Sequence, residues 1–123
     1  MQQKIVNLFC TLGITPNYKG FFYMGYALLL VCEDARWLQR VTQRLYPQIA
    51  ERYHTTASCV ERDLRWVIHV AWKRNPHRLV QLAQRALHTA PTTVQMLSML
   101  NGYLCAQENR PAGVSAQDAF PRF

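Results

Sequence analysis

From Tyr46 to Trp72 the chain reads YPQIAERYHTTASCVERDLRWVIHVAW, and no other stretch constrains the fold as much. Pro47 suits the first turn of a short helix through Tyr53, where its missing N–H would have no helical partner anyway. Thr55-Thr56 supply a turn, and a longer helix is expected from about Ala57 to Lys73. At 3.6 residues per turn, Ala57, Val60, Leu64, Val67, Ile68 and Ala71 gather on one face of it. Opposite them Ser58, Arg62, Arg65 and His69 form one polar stripe. Glu61 borders the stripe on one side; Trp66 and Lys73 border it on the other. A solvated charged face is the plain explanation of such a stripe. Upstream, however, Ile49, Ala50 and Tyr53 are small or apolar and let two helices cross closely. A short helix, a tight turn and a long amphipathic helix make the pattern of a helix-turn-helix, whose second helix enters the DNA major groove.

The rest of the chain is read as helical too. Met1 to Leu12 places Ile5, Leu8, Phe9 and Leu12 on one face, and Gly13 and Pro16 end that helix. A second helix is expected from Tyr18 to Cys32, with Phe22, Tyr26, Leu29 and Leu30 inward and Gly20 and Gly25 allowing close approach. Asp34 is a suitable N-cap for a third helix reaching Leu45, with Leu38, Val41 and Leu45 inward and Arg36, Arg40 and Arg44 outward. Thr55 and Thr56 can cap the long helix, and Ser58 with Glu61 offers a capping box. Asn75-Pro76 break that helix. A further helix is expected from His77 to His88, and a last one from Thr92 to about Ala106. Beyond Gln107 the pattern stops, and Asn109, Pro111, Gly113 and Ser115 belong to a tail expected to be mobile, residues 108–123. No segment shows strand periodicity. The expected fold is therefore all-α: a bundle of about six helices in one domain, residues 1–107, with the helix-turn-helix at about 46–73.

Charge and chemistry narrow the function. The 123-residue chain carries a formal net charge of +7, which favours a polyanionic partner. Cys10, Cys32, Cys59 and Cys105 form no C-x-x-C pair, so no zinc or redox site is expected, and free thiols in the cytoplasm are. The longest apolar run, Tyr26 to Cys32, is too short to span a bilayer. His54, His69, His77 and His88 are scattered without a metal-ligand or nucleophile pattern, and Cys59 and His69 lie too far apart on one helix to form a dyad. No enzyme activity, metal or cofactor is expected.

On the long helix the residue types fit base recognition. A guanidinium presents two parallel donors that match O6 and N7 of guanine. Glu61 can accept a hydrogen bond from a cytosine amino group or hold an arginine in place. Thr55, Thr56 and Ser58 lie where the start of a helix favours phosphate. Arg52, Lys73 and Arg74 are candidate phosphate contacts that position the helix without reading sequence.

At these residues the chain resembles the C-terminal DNA-binding domain of the stage-zero sporulation response regulator family. The resemblance lies in LGITPNYKGFFYMGYA (Leu12 to Ala27), in LYPQIAERYHTTAS followed by VER (Leu45 to Arg62, skipping Cys59), in Arg65, and in VAW at Val70 to Trp72. APTTVQMLSML, from Ala90 to Leu100, is a weaker match to the family's last helix. The resemblance covers about residues 5 to 106. It implies a helical DNA-binding effector domain that binds tandem DNA boxes as a head-to-tail dimer and contacts the RNA polymerase sigma subunit. It also implies base-reading roles for Glu61, Arg62 and Arg65, and a place on the nucleoid.

Three positions depart from that pattern. Cys59 stands where the family usually has arginine, Asp63 where it has a small residue, and Trp66 where it has histidine. The link from Trp72 to Pro91 is also shorter. These changes lower the positive charge of the helix and imply a different box preference. The family's sporulation regulators carry an N-terminal receiver domain, and here Met1 followed by Gln2-Gln3-Lys4 is expected to be the natural start of a free-standing paralogue. The altered helix also leaves an alternative function: an interaction module that no longer reads DNA and acts as an antagonist or partner of polymerase or of a full-length regulator.

Overall fold

Lys19–Glu33 is apolar nearly all round, and such a helix has to be buried. In the computed structural model, which describes residues 2–107, this segment is α2, and 12 of its 15 residues are buried. The tail expected to be mobile lies outside the described residues. α1 (Gln2–Leu12) lays Ile5, Leu8, Phe9 and Leu12 in the core. Phe9 meets Phe21 of α2 edge-on, with ring centroids 5.5 Å apart. Gly13 (φ +79°) ends α1 as expected: its N–H donates to the Cys10 carbonyl, and the Ile14 N–H donates to that of Phe9. That pair of bonds is a Schellman cap, with Ile14 fully buried beyond it.

The segment after α2 departs from expectation. Asp34 is an N-cap, but of a 3-10 helix, Ala35–Gln39, that stops at Arg40. Val41–Leu45 is then wound as a π turn and runs without a break into α3 (Tyr46–Arg52). The helix expected to reach Leu45 therefore breaks at Arg40 rather than before Pro47. The proline accounts for the shift, because its ring would crowd the carbonyl four residues back and removes one N–H. Wider winding, with the Tyr46 N–H donating to the Val41 carbonyl, carries the helix through it. Val41 and Leu45 are buried and Arg36, Arg40 and Arg44 exposed, as expected; Leu38 is half-buried.

α4 (Ala57–Arg74) packs on α2 and α3 through Val60, Leu64, Val67, Ile68 and Ala71. Ala57 is only half-buried, and Val70 joins the buried set. Asn75 accepts from the Arg78 N–H to cap α5 (Pro76–Ala83), and its amide donates to the Thr11 carbonyl at 2.7 Å, tying this corner to α1. α5 is shorter than the helix expected to reach His88. Gln84 turns into the left-handed region (φ 57°), and residues 85–92 are irregular. Leu79 and Leu82 anchor α5, whereas Arg85 and Ala86 are exposed and give a further turn nothing to bury. α6 (Thr93–Gln107) begins with a reciprocal cap between Thr92 and Gln95 and buries Met96, Leu97, Leu100 and Leu104. The described residues thus form an all-α bundle of six α-helices, with no strand among them.

Candidate nucleic-acid interface

The turn between α3 and α4 is a second Schellman cap. The Thr55 N–H donates to the Ala50 carbonyl, the His54 N–H to that of Glu51, and His54 takes the left-handed conformation (φ 55°) usually left to glycine. Thr56 follows in extended conformation and is the N-cap of α4, its hydroxyl accepting from the Cys59 N–H at 3.2 Å. Ser58 already lies inside the first turn, so the capping box expected of Ser58 and Glu61 does not form. Glu61 instead meets Arg65 across one turn, Oε1 to Nη2 at 2.7 Å.

Helix α4 is held against α2 by a very close approach. A Cβ at Gly20 would lie 2.4 Å from the Asp63 carbonyl oxygen and 2.7 Å from a Val67 methyl group, so only glycine fits this seam. Of the two glycines expected to permit close approach, Gly20 demonstrably does so. The seam leaves the opposite face of α4 to solvent. Ser58, Arg62, Arg65 and His69 are all exposed there, as their spacing predicts. Together with Glu61 and Trp66 they line one shallow concavity.

Acidic residues of the same helix restrain the charges on this face. Besides the Glu61–Arg65 pair, Arg62 Nε lies 3.4 Å from Asp63 Oδ1, and that carboxylate holds the Arg62 guanidinium above its ordinary pKa. Asp63 is mostly buried, and its Oδ2 has no hydrogen-bond partner. Hydrogen bonds from Thr56 and Thr55 hold the Cys59 thiol below its ordinary range. Burial, and then the nearby Asp63 carboxylate, push the Tyr23 hydroxyl up. The sequence marked Asp63 only as a departure that lowers the charge of the helix; its pairing with Arg62 is seen in the side-chain geometry alone.

The residues expected to contact phosphate fall into two groups. Thr55, Thr56 and Ser58 cluster at the start of α4. Lys73 and Arg74 lie about 22–24 Å further along its axis. There Arg74 lies against Gly13 and donates toward the Tyr18 hydroxyl at 3.4 Å. Arg52 is half-buried, its guanidinium 4.7 Å above the Tyr26 ring. Thr42, which carries no expectation from the sequence, and the Ala90–Val94 segment, expected only to lead into and begin the last helix, line a hollow with Glu61, Arg65 and His69 along the other flank of α4. Among the described residues, no group of three or more His, Cys, Asp or Glu is placed to hold a metal ion, and no helix is long and apolar enough to cross a membrane.

A capped turn, a glycine-seated helix and an arginine-bearing outer face together make the arrangement of a helix-turn-helix, and a family match gives its class, a DNA-binding effector domain. Residues 5–104 match the family model described as sporulation initiation factor Spo0A C terminal, and the chain belongs to that family.

Proposed function

We propose that the protein is a sequence-specific transcriptional regulator that lays α4 in the DNA major groove and reads base edges with Glu61, Arg62 and Arg65. The observation that carries this reading is the exposure of both arginine side chains, 70% and 74%, on the face of α4 turned away from the core. Each exposed guanidinium can exchange its carboxylate partner for the O6 and N7 pair of a guanine. Thr55, Thr56 and Ser58 meet phosphate at the helix start, where the backbone dipole favours anions. Arg52, Lys73 and Arg74 add outlying positive charge that holds the domain on the duplex. Membership of the family supports binding to tandem boxes as a head-to-tail dimer and contact with the polymerase sigma subunit.

Fluorescence anisotropy tests the reading with a duplex carrying two tandem boxes and a scrambled duplex of equal length. Arg62→Ala is expected to lose about 1–3 kcal/mol on the boxes, roughly 5- to 150-fold, with far less change on the scrambled duplex. Lys73→Ala is expected to weaken both duplexes alike. Equal losses on both duplexes for Arg62→Ala would show that it contributes charge only.

A further inference from the structure

Trp66 is an expensive residue to leave in water, yet 53% of its surface is exposed; among the described residues the other exposed large hydrophobic residue is Val94. It lies one turn beyond Arg62, and its indole stacks on the His69 ring, centroids 5.6 Å apart and planes 28° apart. The stack draws the indole from the border of the stripe toward its middle, into the concavity shared with Ser58, Arg62 and Arg65. An apolar plate is thus held in the row of groups proposed to face DNA.

We propose that Trp66 is a further specificity-determining residue, its indole packing on the 5-methyl group of a thymine in the major groove. The inference rests on the reading of α4 as the groove-entering helix. Thymine's methyl is the apolar feature among the base edges displayed in that groove, and apolar side chains recognise it by contact. Four residues of helix advance about 6 Å, roughly two base steps at 3.4 Å each, so Arg62 and Trp66 reach different base pairs of one site. Duplex DNA suits this surface better than an apolar protein partner does. A protein covering the indole would strip water from the neighbouring Arg62 and Arg65 guanidiniums, whereas DNA offers acceptors for both at the same moment.

The test uses the full chain and changes the DNA rather than the fold. Preferred duplexes are selected from a random library, and each thymine is then replaced singly by deoxyuridine, which lacks only the methyl group. At one position per box the replacement is expected to weaken binding about fourfold, the worth of one buried methyl group. Trp66→Ala is expected to bind the thymine and uracil duplexes equally, and both more weakly than the unaltered protein binds the thymine duplex. Insensitivity of the unaltered protein to uracil at every position would overturn the inference while leaving base reading by the arginines intact. So would a Trp66→Ala variant that keeps the uracil effect, or that binds the selected duplex unchanged and loses a protein partner instead. Failure to enrich any sequence would overturn the reading of α4, and this inference with it.

Discussion

Arg62 and Arg65 are each met by a carboxylate of their own helix, but the two pairs differ in kind. Arg65 and Glu61 form an exposed pair one turn apart, the sort worth about 0.3–0.5 kcal/mol, which DNA displaces at little cost. Asp63 is mostly buried, with one carboxylate oxygen unsatisfied, so it weighs on stability as well as on Arg62. Asp63→Ala removes an unsatisfied buried group and adds a better helix former; it is expected to stabilise the fold by about 1 kcal/mol and to tighten binding to all duplexes. A lower Tm in thermal unfolding, or unchanged anisotropy curves, would count against that account. Cys59 gives an independent probe of the same turn. Its thiol is held low by Thr56 and Thr55, so it stays partly ionised as pH falls below the ordinary thiol range. Alkylation at Cys59, followed by mass spectrometry, is expected to persist in that window and to slow when duplex DNA covers the helix. The exposure of the stripe was legible from spacing alone, because a 3.6-residue period decides which side chains face out. The pairing of Arg62 with Asp63 was not, because neighbours in sequence lie about 100° apart on a wheel and meet only if a long side chain bends back.

Helices with a clear apolar stripe were legible almost to the residue, as α1 and α4 show. Between Asp34 and Arg52 the apolar positions Leu38, Val41, Leu45 and Ile49 fit one helix, two helices or a mixed winding. The accommodation of Pro47 selects among these, and that choice is made in three dimensions. α5 was overextended because His77 to His88 lacks a strong breaker, yet Gln84 takes the left-handed conformation and Arg85 and Ala86 after it bury nothing. The seam between α2 and α4 shows how one position governs an element. A methyl group at Gly20 would meet backbone, the Asp63 carbonyl, and α4 would have to move. Gly20→Ala is therefore expected to cost about 1–3 kcal/mol in urea unfolding, despite alanine's higher helix propensity. A neutral result would mean that the helices separate freely and that the seating of α4 is soft.

For the molecule as a whole, the excess of seven positive charges acts with the arginine face as a long-range attraction for a polyanion. Binding to any duplex is expected to weaken linearly in log K against log salt, with a slope of about 0.9 per phosphate neutralised. Titration of the Lys73→Ala variant is expected to lower that slope by about 1, while Arg62→Ala chiefly removes the difference between selected and scrambled sites. A slope unaltered by Lys73→Ala would place the far end of α4 off the DNA backbone. The all-α class was legible because no segment alternates with a period of two. The central place of α2 follows from its being apolar all round, whereas its contact with α4 through one glycine needed coordinates. That contact separates two jobs within one helix. Val60, Leu64, Val67, Ile68 and Ala71 keep α4 seated, while Ser58, Arg62, Arg65, Trp66 and His69 take no part in the core. Substitutions at those five outer positions can accumulate at almost no expense to folding, so the domain is a fixed mount with a rewritable address. On the proposed reading of α4, duplicated copies can diverge toward new DNA sites by surface drift alone.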